Sequence, residues 1–266
     1  MKLVLVGALI FLVAVAMTMV GKGGGNFYIV ILSLAGVPMH KAAATGQFIL
    51  FCASVAAMIV FHRGRSASWH LALIVGALTS LSAFVGGYLS HIFADFVLKM
   101  IFAGMLFLAG ALMLIPVKEK TSAPHRGFGI LEVRIGEEKY PLNLKIAVPV
   151  TVLTGFAAGM VGVSGGSFLV PLMVLACGVP VHIAVGTASI LVAATAFMGF
   201  AGHALRGDFD PHLAIPLAVI TIIGGTLGGK FALKSKPHHL KRLFAYTNFL
   251  AAGFMLFNAL RTGGII

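Results

Sequence analysis

Two stretches of the chain decide its fold, "GKGGGNFYIVILSLAGVPMHKAAATG" at Gly21–Gly46 and "GVSGGSFLVPLMVLACGVPVHIAVGTA" at Gly162–Ala188. In each, a glycine cluster is followed by a short apolar run, 26–36 in the first and 167–178 in the second. Such a run reaches only about 17 Å at ~1.5 Å per residue. The first glance suggests a phosphate-binding loop opening a helix. That motif needs G-x-x-x-x-G-K-[ST] after a strand, and no such string occurs here. Lys22 stands ahead of the glycine run instead, and its counterpart in the second stretch is Val163.

Composition moves the question out of water. Of 266 residues 59% are hydrophobic and only 10% charged, with a mean hydropathy of +1.05. A soluble domain carries roughly 25% charged residues, so this chain cannot cover itself with a polar surface. It reads as an all-α integral membrane protein. Apolar segments fall near 3–20, 26–36, 42–61, 70–92 and 95–117, then 144–162, 167–178, 183–203, 212–233 and 239–260. Most approach the ~20 residues that span a bilayer. The first resembles a secretory signal, but the same kind of segment returns at 144–162, so it is read as a retained helix.

The recurrence is general. "LKMIFAGMLFLAGALML" at Leu98–Leu114 and "LKRLFAYTNFLAAGFML" at Leu240–Leu256 share nine of seventeen positions, and "GVPMH" at Gly36 returns as "GVPVH" at Gly178. Aligned Gly-Val-Pro-x-His does not arise from scattered apolar matches, so the chain is an internal duplication. The first membrane repeat is 1–117 and the second 144–266. Between them, 118–143 holds four of the seven acids and an alternating "ILEVRI" before "GEEK". This predicts a cytoplasmic, solvent-exposed linker with a small β-hairpin.

Five segments per half is an odd number, which inverts the second half relative to the first. Inversion puts 62–69, 118–145 and 230–242 on one side, holding thirteen of the nineteen Lys and Arg. That asymmetry is the positive-inside signature of a cytoplasmic face, and it accounts for the basic pI of about 10.1 without nucleic-acid binding. The predicted fold is two inverted-topology repeats, each a re-entrant or broken helix hairpin plus three spanning helices.

Unpaired amides in hydrocarbon are costly, so irregular backbone at membrane depth survives only inside protein or beside a water-filled cavity. The short runs then return from re-entrant tips at Gly21–Asn26 and Gly162–Ser167. Each tip starts a half-helix whose first N–H groups lack intrahelical partners and carry partial positive charge. Glycine lets an anion approach them. The competing reading is that the glycines only permit close helix packing, the role expected of Gly155, Gly159, Gly224 and Gly228. The acids Asp95, Glu119, Glu132, Glu137, Glu138, Asp208 and Asp210 all lie in or beside predicted loops. No midplane carboxylate is available to balance a cation, which favours an anionic substrate.

With these motifs and the apolar pattern behind each, the chain resembles the sulfite exporter TauE/SafE family of permeases over nearly its whole length. The second copy is the closer match. The first departs from it at Lys22, at "YIVI" where the second has "LVPL", and at Asn26 and Gln47 where the second has Ser167 and Ser189. The resemblance implies transport of sulfite, organosulfonates or related sulfur oxyanions across the cytoplasmic membrane by a multi-pass protein.

The substrate-binding candidates are Lys22, Gly23, Gly24, Gly25, Asn26 and Phe27 at the first tip and Ser164, Gly165, Gly166, Ser167 and Phe168 at the second. Thr45, Gln47, Thr187 and Ser189 join them at the start of the next helices, where helix capping is the alternative. Lys22 either adds a fixed positive charge or snorkels to the interface. Phe27 and Phe168 shape a cavity or simply pack. His40 and His182 read as turn or capping residues, and Cys52 and Cys177 as buried packing. Neither a catalytic triad nor a metal-binding spacing is found, and neither catalytic residues nor a cofactor are expected. The leading reading is an alternating-access secondary transporter that holds a small anion between the tips. A passive anion channel and a membrane enzyme acting on a sulfur compound are the alternatives. The expected partners are the small anion and the lipid bilayer, with a homodimer left open.

Overall fold

The computed structural model describes residues 2–92, 94–115, 130–135, 138–163 and 165–262. The helices of the first half are α1 (Lys2–Met19), α2 (Gly25–Leu34), α3 (Met39–Arg63), α4 (Trp69–Leu89) and α5 (Asp95–Leu114). Those of the second are α6 (Leu144–Val161), α7 (Gly166–Pro171), α8 (Val181–Ala204), α9 (Pro211–Lys234) and α10 (Pro237–Thr262). Between the halves, β1 (Ile130–Ile135) and β2 (Glu138–Asn143) pair antiparallel, with Val133 opposite Tyr140.

Among the described residues, six helices, α3, α4, α6, α8, α9 and α10, are long and apolar enough to cross a membrane. Large apolar side chains such as Leu12, Leu73, Phe107, Leu153, Val219 and Phe257 are exposed, while Lys22, Gln47, Thr187 and Asn248 are buried. This inside-out distribution is what a hydrocarbon solvent imposes, because polar groups must find partners within the protein.

Local chemistry sets the helix ends. Side-chain oxygens of Ser68, Asn143 and Asp210 accept backbone N–H bonds in the first turns of α4, α6 and α9. The short run after the second tip is not one helix. Pro171 has no N–H to offer, and beyond it Leu172–Ala176 widens into a π-type turn. The equivalent run of the first half lacks that proline and stays α-helical through Leu34.

Contacts between glycines and facing backbone give the helix directions. On α9, Gly225 lies on Ala53 of α3 and Gly229 on Val60, so α3 and α9 run parallel. By the same logic α1 is parallel to α9 (Gly224 on Ala14, Gly228 on Val15), and α4 is parallel to α6 (Gly155 on Thr79, Gly159 on Ala83). Helix α4 is also parallel to α8, with the amide of Ser68 bonded to Thr187 and Gly87 lying on Gly199. In contrast, α3 opposes α8 (Phe48 beside Phe200, Gly186 against Phe61), and α5 opposes α10 (Gly110 beside Ala245, Lys241 to the Ile115 carbonyl). The four glycines assigned to close packing thus sit at two helix crossings where a side chain would strike backbone.

These directions gather the 64–68 turn, the β-hairpin and the α9–α10 turn at one end of the molecule. The hairpin is less solvated than its sequence suggests. Val133, Tyr140 and Leu142 are buried in a core shared with Leu71, Ala72 and Val75 of α4.

Candidate functional site

The two glycine tips meet. A Cβ on Gly166 would lie 2.7 Å from the Gly21 carbonyl oxygen and 3.4 Å from Lys22 Cα. Both tips also reach the middle of the long helices. Gly23 faces Leu50 and Ser54 of α3 and Val192 of α8, and Gly166 faces Val192 as well. Since α3 covers 39–63 and α8 covers 181–204, these contacts put both tips near the middle of those two helices.

The surroundings of the tips repeat in exchange. Gly21 is held against Val185 and Ala188 of α8, whereas Gly162 is held against Ala43 of α3 with Gly46 alongside. These are matching positions of the two copies, each taken from the opposite half. Only bare backbone fits here. Gly21, Gly23, Gly24 and Gly162 all have left-handed φ, between 68° and 99°, which other residues adopt at a cost of about 1–3 kcal/mol.

In the first tip, the amides of Phe27 and Tyr28 are bonded back to the Gly24 carbonyl. The N–H groups of residues 24–26 precede that first helical bond, as at any helix start. Gly25 and Asn26 are buried and Phe27 is half-buried. Tyr28 covers the tip, its hydroxyl donating to the Gly23 carbonyl at 2.7 Å and its ring occupying the space beside Gly24. In the second tip, Phe168 and Leu169 bond back to Gly165, and Ser167 lies in the first turn of α7. Ser164 lies outside the described residues. Phe168, like Phe27, is half-buried.

Lys22 does not snorkel. It is 2% exposed, and its ammonium donates to the Phe244 carbonyl (3.1 Å), Thr247 Oγ1 (3.1 Å) and Asn248 Oδ1 (2.6 Å) of α10. Nζ also stands 4.0 Å from the centre of the Phe244 ring, a cation–π contact. All of these acceptors are neutral, and no carboxylate is among the partners of this buried amine. Among the described residues, Asn248 Nδ2 and the Ser54 and Thr45 hydroxyls are buried without a hydrogen-bond partner.

The flanking candidates divide. Gln47 is fully buried, and its Nε2 donates to the Ala158 carbonyl at 3.2 Å, bracing the end of α6 below the second tip. Thr187 turns away from the tips to accept from the amide of Ser68, and Ser189 donates to the Gly186 carbonyl at 2.6 Å. His182 Nε2 lies 2.7 Å from the Ser235 carbonyl and ties α8 to the α9–α10 turn, whereas His40 is exposed. Cys177 is buried and Cys52 is half-buried, both with free thiols.

Sequence reasoning missed Tyr28, Ser54, Thr247 and Asn248. A signal for the last two is present, because Thr247 and Asn248 replace Met105 and Leu106 of the first copy while Lys22 replaces Val163 of the second. The two departures compensate each other. A cavity of about 730 Å³ lies elsewhere, between α3 and α9. In this conformation the tips are closed on each other.

Comparison with known proteins identifies the family. The profile of the family described as sulfite exporter TauE/SafE matches residues 6–255. A probable membrane transporter protein of Xylella fastidiosa (strain 9a5c) is 25% identical over 240 residues, covering 88% of this chain and 87% of its own. Another from Methanocaldococcus jannaschii is 24% identical over 271 residues, covering 96% and 94%. The sulfite exporter TauE/SafE family protein 6 of Arabidopsis thaliana is 21% identical, covering 89% and 75%. No solved structure matches. With a family match running from α1 into α10, the chain belongs to the sulfite exporter TauE/SafE family, whose members are membrane transporters and not enzymes.

Proposed function

We propose that the protein is a secondary transporter that carries a small sulfur oxyanion, such as sulfite or an organosulfonate, across the cytoplasmic membrane. The anion is held between the two glycine tips. The observation that carries this reading is the meeting of Gly166 with Gly21 and Lys22, beside a buried ammonium whose partners are all neutral. An unbalanced buried cation costs several kcal/mol, and an anion arriving between the tips would offset that cost. The α2 and α7 N-termini, Asn248 Nδ2 and the Ser54 hydroxyl supply further donors, and an oxyanion with three oxygens can accept from several at once.

Alternating access is supported by the helix directions. Where contacts fix a direction, a helix of the first half runs opposite to its sequence counterpart, as α3 does to α8 and α5 to α10. Such opposition supports an inverted-repeat reading, and in transporters of that kind one half tilts against the other around a central site. The tip-to-tip contact is the seam that must part.

The test is uptake of radiolabelled sulfite, sulfoacetate and taurine by proteoliposomes under an imposed ion gradient. Accumulation of one of them above its outside concentration, abolished by Lys22→Met, supports the reading. Equilibration without accumulation indicates a channel, and retention of full transport by Lys22→Met overturns the assigned site.

A further inference from the structure

The cavity between α3 and α9 belongs to no part of the tips. It is lined by Phe51, Val55, Ile59 and Val60 on α3 and by Ile222 and Leu233 on α9, with Cys52 in the wall. Two lining residues carry charge, Arg63 and Lys230, and both are cations. No carboxylate lines the cavity.

The polarity of this groove is graded along its length. From Phe51 to Arg63 the α3 wall rises about 18 Å at ~1.5 Å per residue, close to the ~15 Å of one leaflet in a hydrocarbon core of ~30 Å. The lining over that depth is apolar apart from Thr226, whose hydroxyl donates to the Ile222 carbonyl, and both cations fall at the upper end, where Arg63 closes α3 and Lys230 stands one turn before the end of α9. Gly64 packs on Leu233 at this end, so the groove stops there. Trp69 marks the level. It is 42% exposed, its indole N–H donates to His62 Nδ1 at 3.1 Å, and it opens α4 just past the turn from Arg63. Exposed tryptophan of this kind sits at headgroup depth.

We infer that the α3–α9 groove is a binding site for an anionic phospholipid of the cytoplasmic leaflet. One acyl chain lies along Phe51, Val55, Ile59 and Ile222, and the phosphate is held between Arg63 and Lys230. The argument for this occupant is charge complementarity at the depth where a lipid phosphate resides. A zwitterionic lipid brings its own cation to the same place, and a soluble anion leaves the apolar length unfilled. Basic pockets between helices at this face are the general form of such sites. Because α3 carries Leu50 and Ser54 of the tip surroundings, the lipid touches the same helix as the proposed transport site, but the inference does not depend on that site.

The experiment is native mass spectrometry of the purified protein titrated with dioleoyl phosphatidylglycerol or dioleoyl phosphatidylcholine. The expected result is at least about tenfold tighter retention of the glycerol lipid, a factor equal to ~1.4 kcal/mol. Arg63→Gln with Lys230→Gln should reduce retention to the choline level, and Arg63→Lys with Lys230→Arg should restore it. A second readout needs no charge variant. In a Cys177→Ser background, phosphatidylglycerol should slow N-ethylmaleimide labelling of Cys52, and phosphatidylcholine should not. Equal retention of both lipids, or equal labelling of Cys52 with either, overturns the inference.

Discussion

Gly165 and Gly166 are neighbours of one residue type at one tip, yet the structure separates them sharply. A methyl group on Gly165 meets Leu169, Thr154 and Thr79 at 3.5–3.7 Å, which is ordinary contact. On Gly166 it would stand 2.7 Å from the Gly21 carbonyl oxygen and 2.8 Å from Val192, roughly 0.8 Å inside the ~3.5 Å optimum. The first of these neighbours is backbone of the opposite tip and cannot rotate away. Gly166→Ala therefore wedges the two halves apart, at the cost of about 1–3 kcal/mol typical of overpacking. If the tips part as the proposed alternating access requires, that energy displaces the closed state by about 5- to 150-fold. The prediction is a loss of anion uptake of about tenfold or more, with a lower melting temperature in detergent. Gly165→Ala should stay within about twofold, as expected for a change near or below ~0.5 kcal/mol. Uptake by proteoliposomes with matched protein content reads both variants. Equal effects of the two substitutions, or normal uptake by Gly166→Ala, would refute the reasoning.

Three further expectations follow from particular contacts. Converting the first half-site to the residues of its repeat counterparts, Lys22→Val with Thr247→Met and Asn248→Leu, should leave the melting temperature equal or higher, since apolar replacement of buried ionic groups is often neutral or stabilising by ~1–4 kcal/mol. Transport should be lost, and a triple variant that still transports would remove Lys22 from the site. Tyr28→Phe deletes one buried hydrogen bond, a loss of about 1 kcal/mol, and should lower the melting temperature by about 2–4 °C for a chain of this size. An unchanged melting curve would mean that the 2.7 Å contact with Gly23 contributes nothing. Gly159→Ala, which drives a methyl into the Ala83 backbone, should impair folding at the α4–α6 crossing. Gly104→Ala and Gly253→Ala meet open space and should be neutral or stabilising, given the higher helix propensity of alanine. Yields after detergent extraction and size exclusion distinguish the two groups.

Much of the architecture could be read before any coordinates, because a duplicated sequence repeats its own punctuation. The glycine clusters and the runs too short to cross anticipated the short helices α2 and α7, and the long apolar runs anticipated the spanning helices. The alternation in "ILEVRI" placed the strand pair. What stayed illegible depended on three-dimensional neighbours. Pro171 sits inside an apolar run that looks continuous, and its missing N–H turns the second half-helix into a π-type turn. Thr187 and Gln47 carry the same polar label in sequence, but Thr187 serves the Ser68 amide while Gln47 braces the end of α6. The difference between Gly165 and Gly166 is invisible without the Gly21 carbonyl. The position of Lys22 was half legible, because its side-chain acceptors occupy the two α10 positions, Thr247 and Asn248, where the copies differ in polarity.

The claim at the centre of this account is that an oxyanion lodges between the glycine tips. Selenite, the heavier congener of sulfite, makes that directly visible through anomalous diffraction from crystals grown in its presence. The account predicts a selenium peak within hydrogen-bonding reach of the Gly24–Asn26 amides, the first turn of α7 and the Lys22 ammonium, absent from crystals of the Lys22→Met protein. A selenium peak lodged elsewhere in the molecule, with the tips still closed on each other, would contradict it.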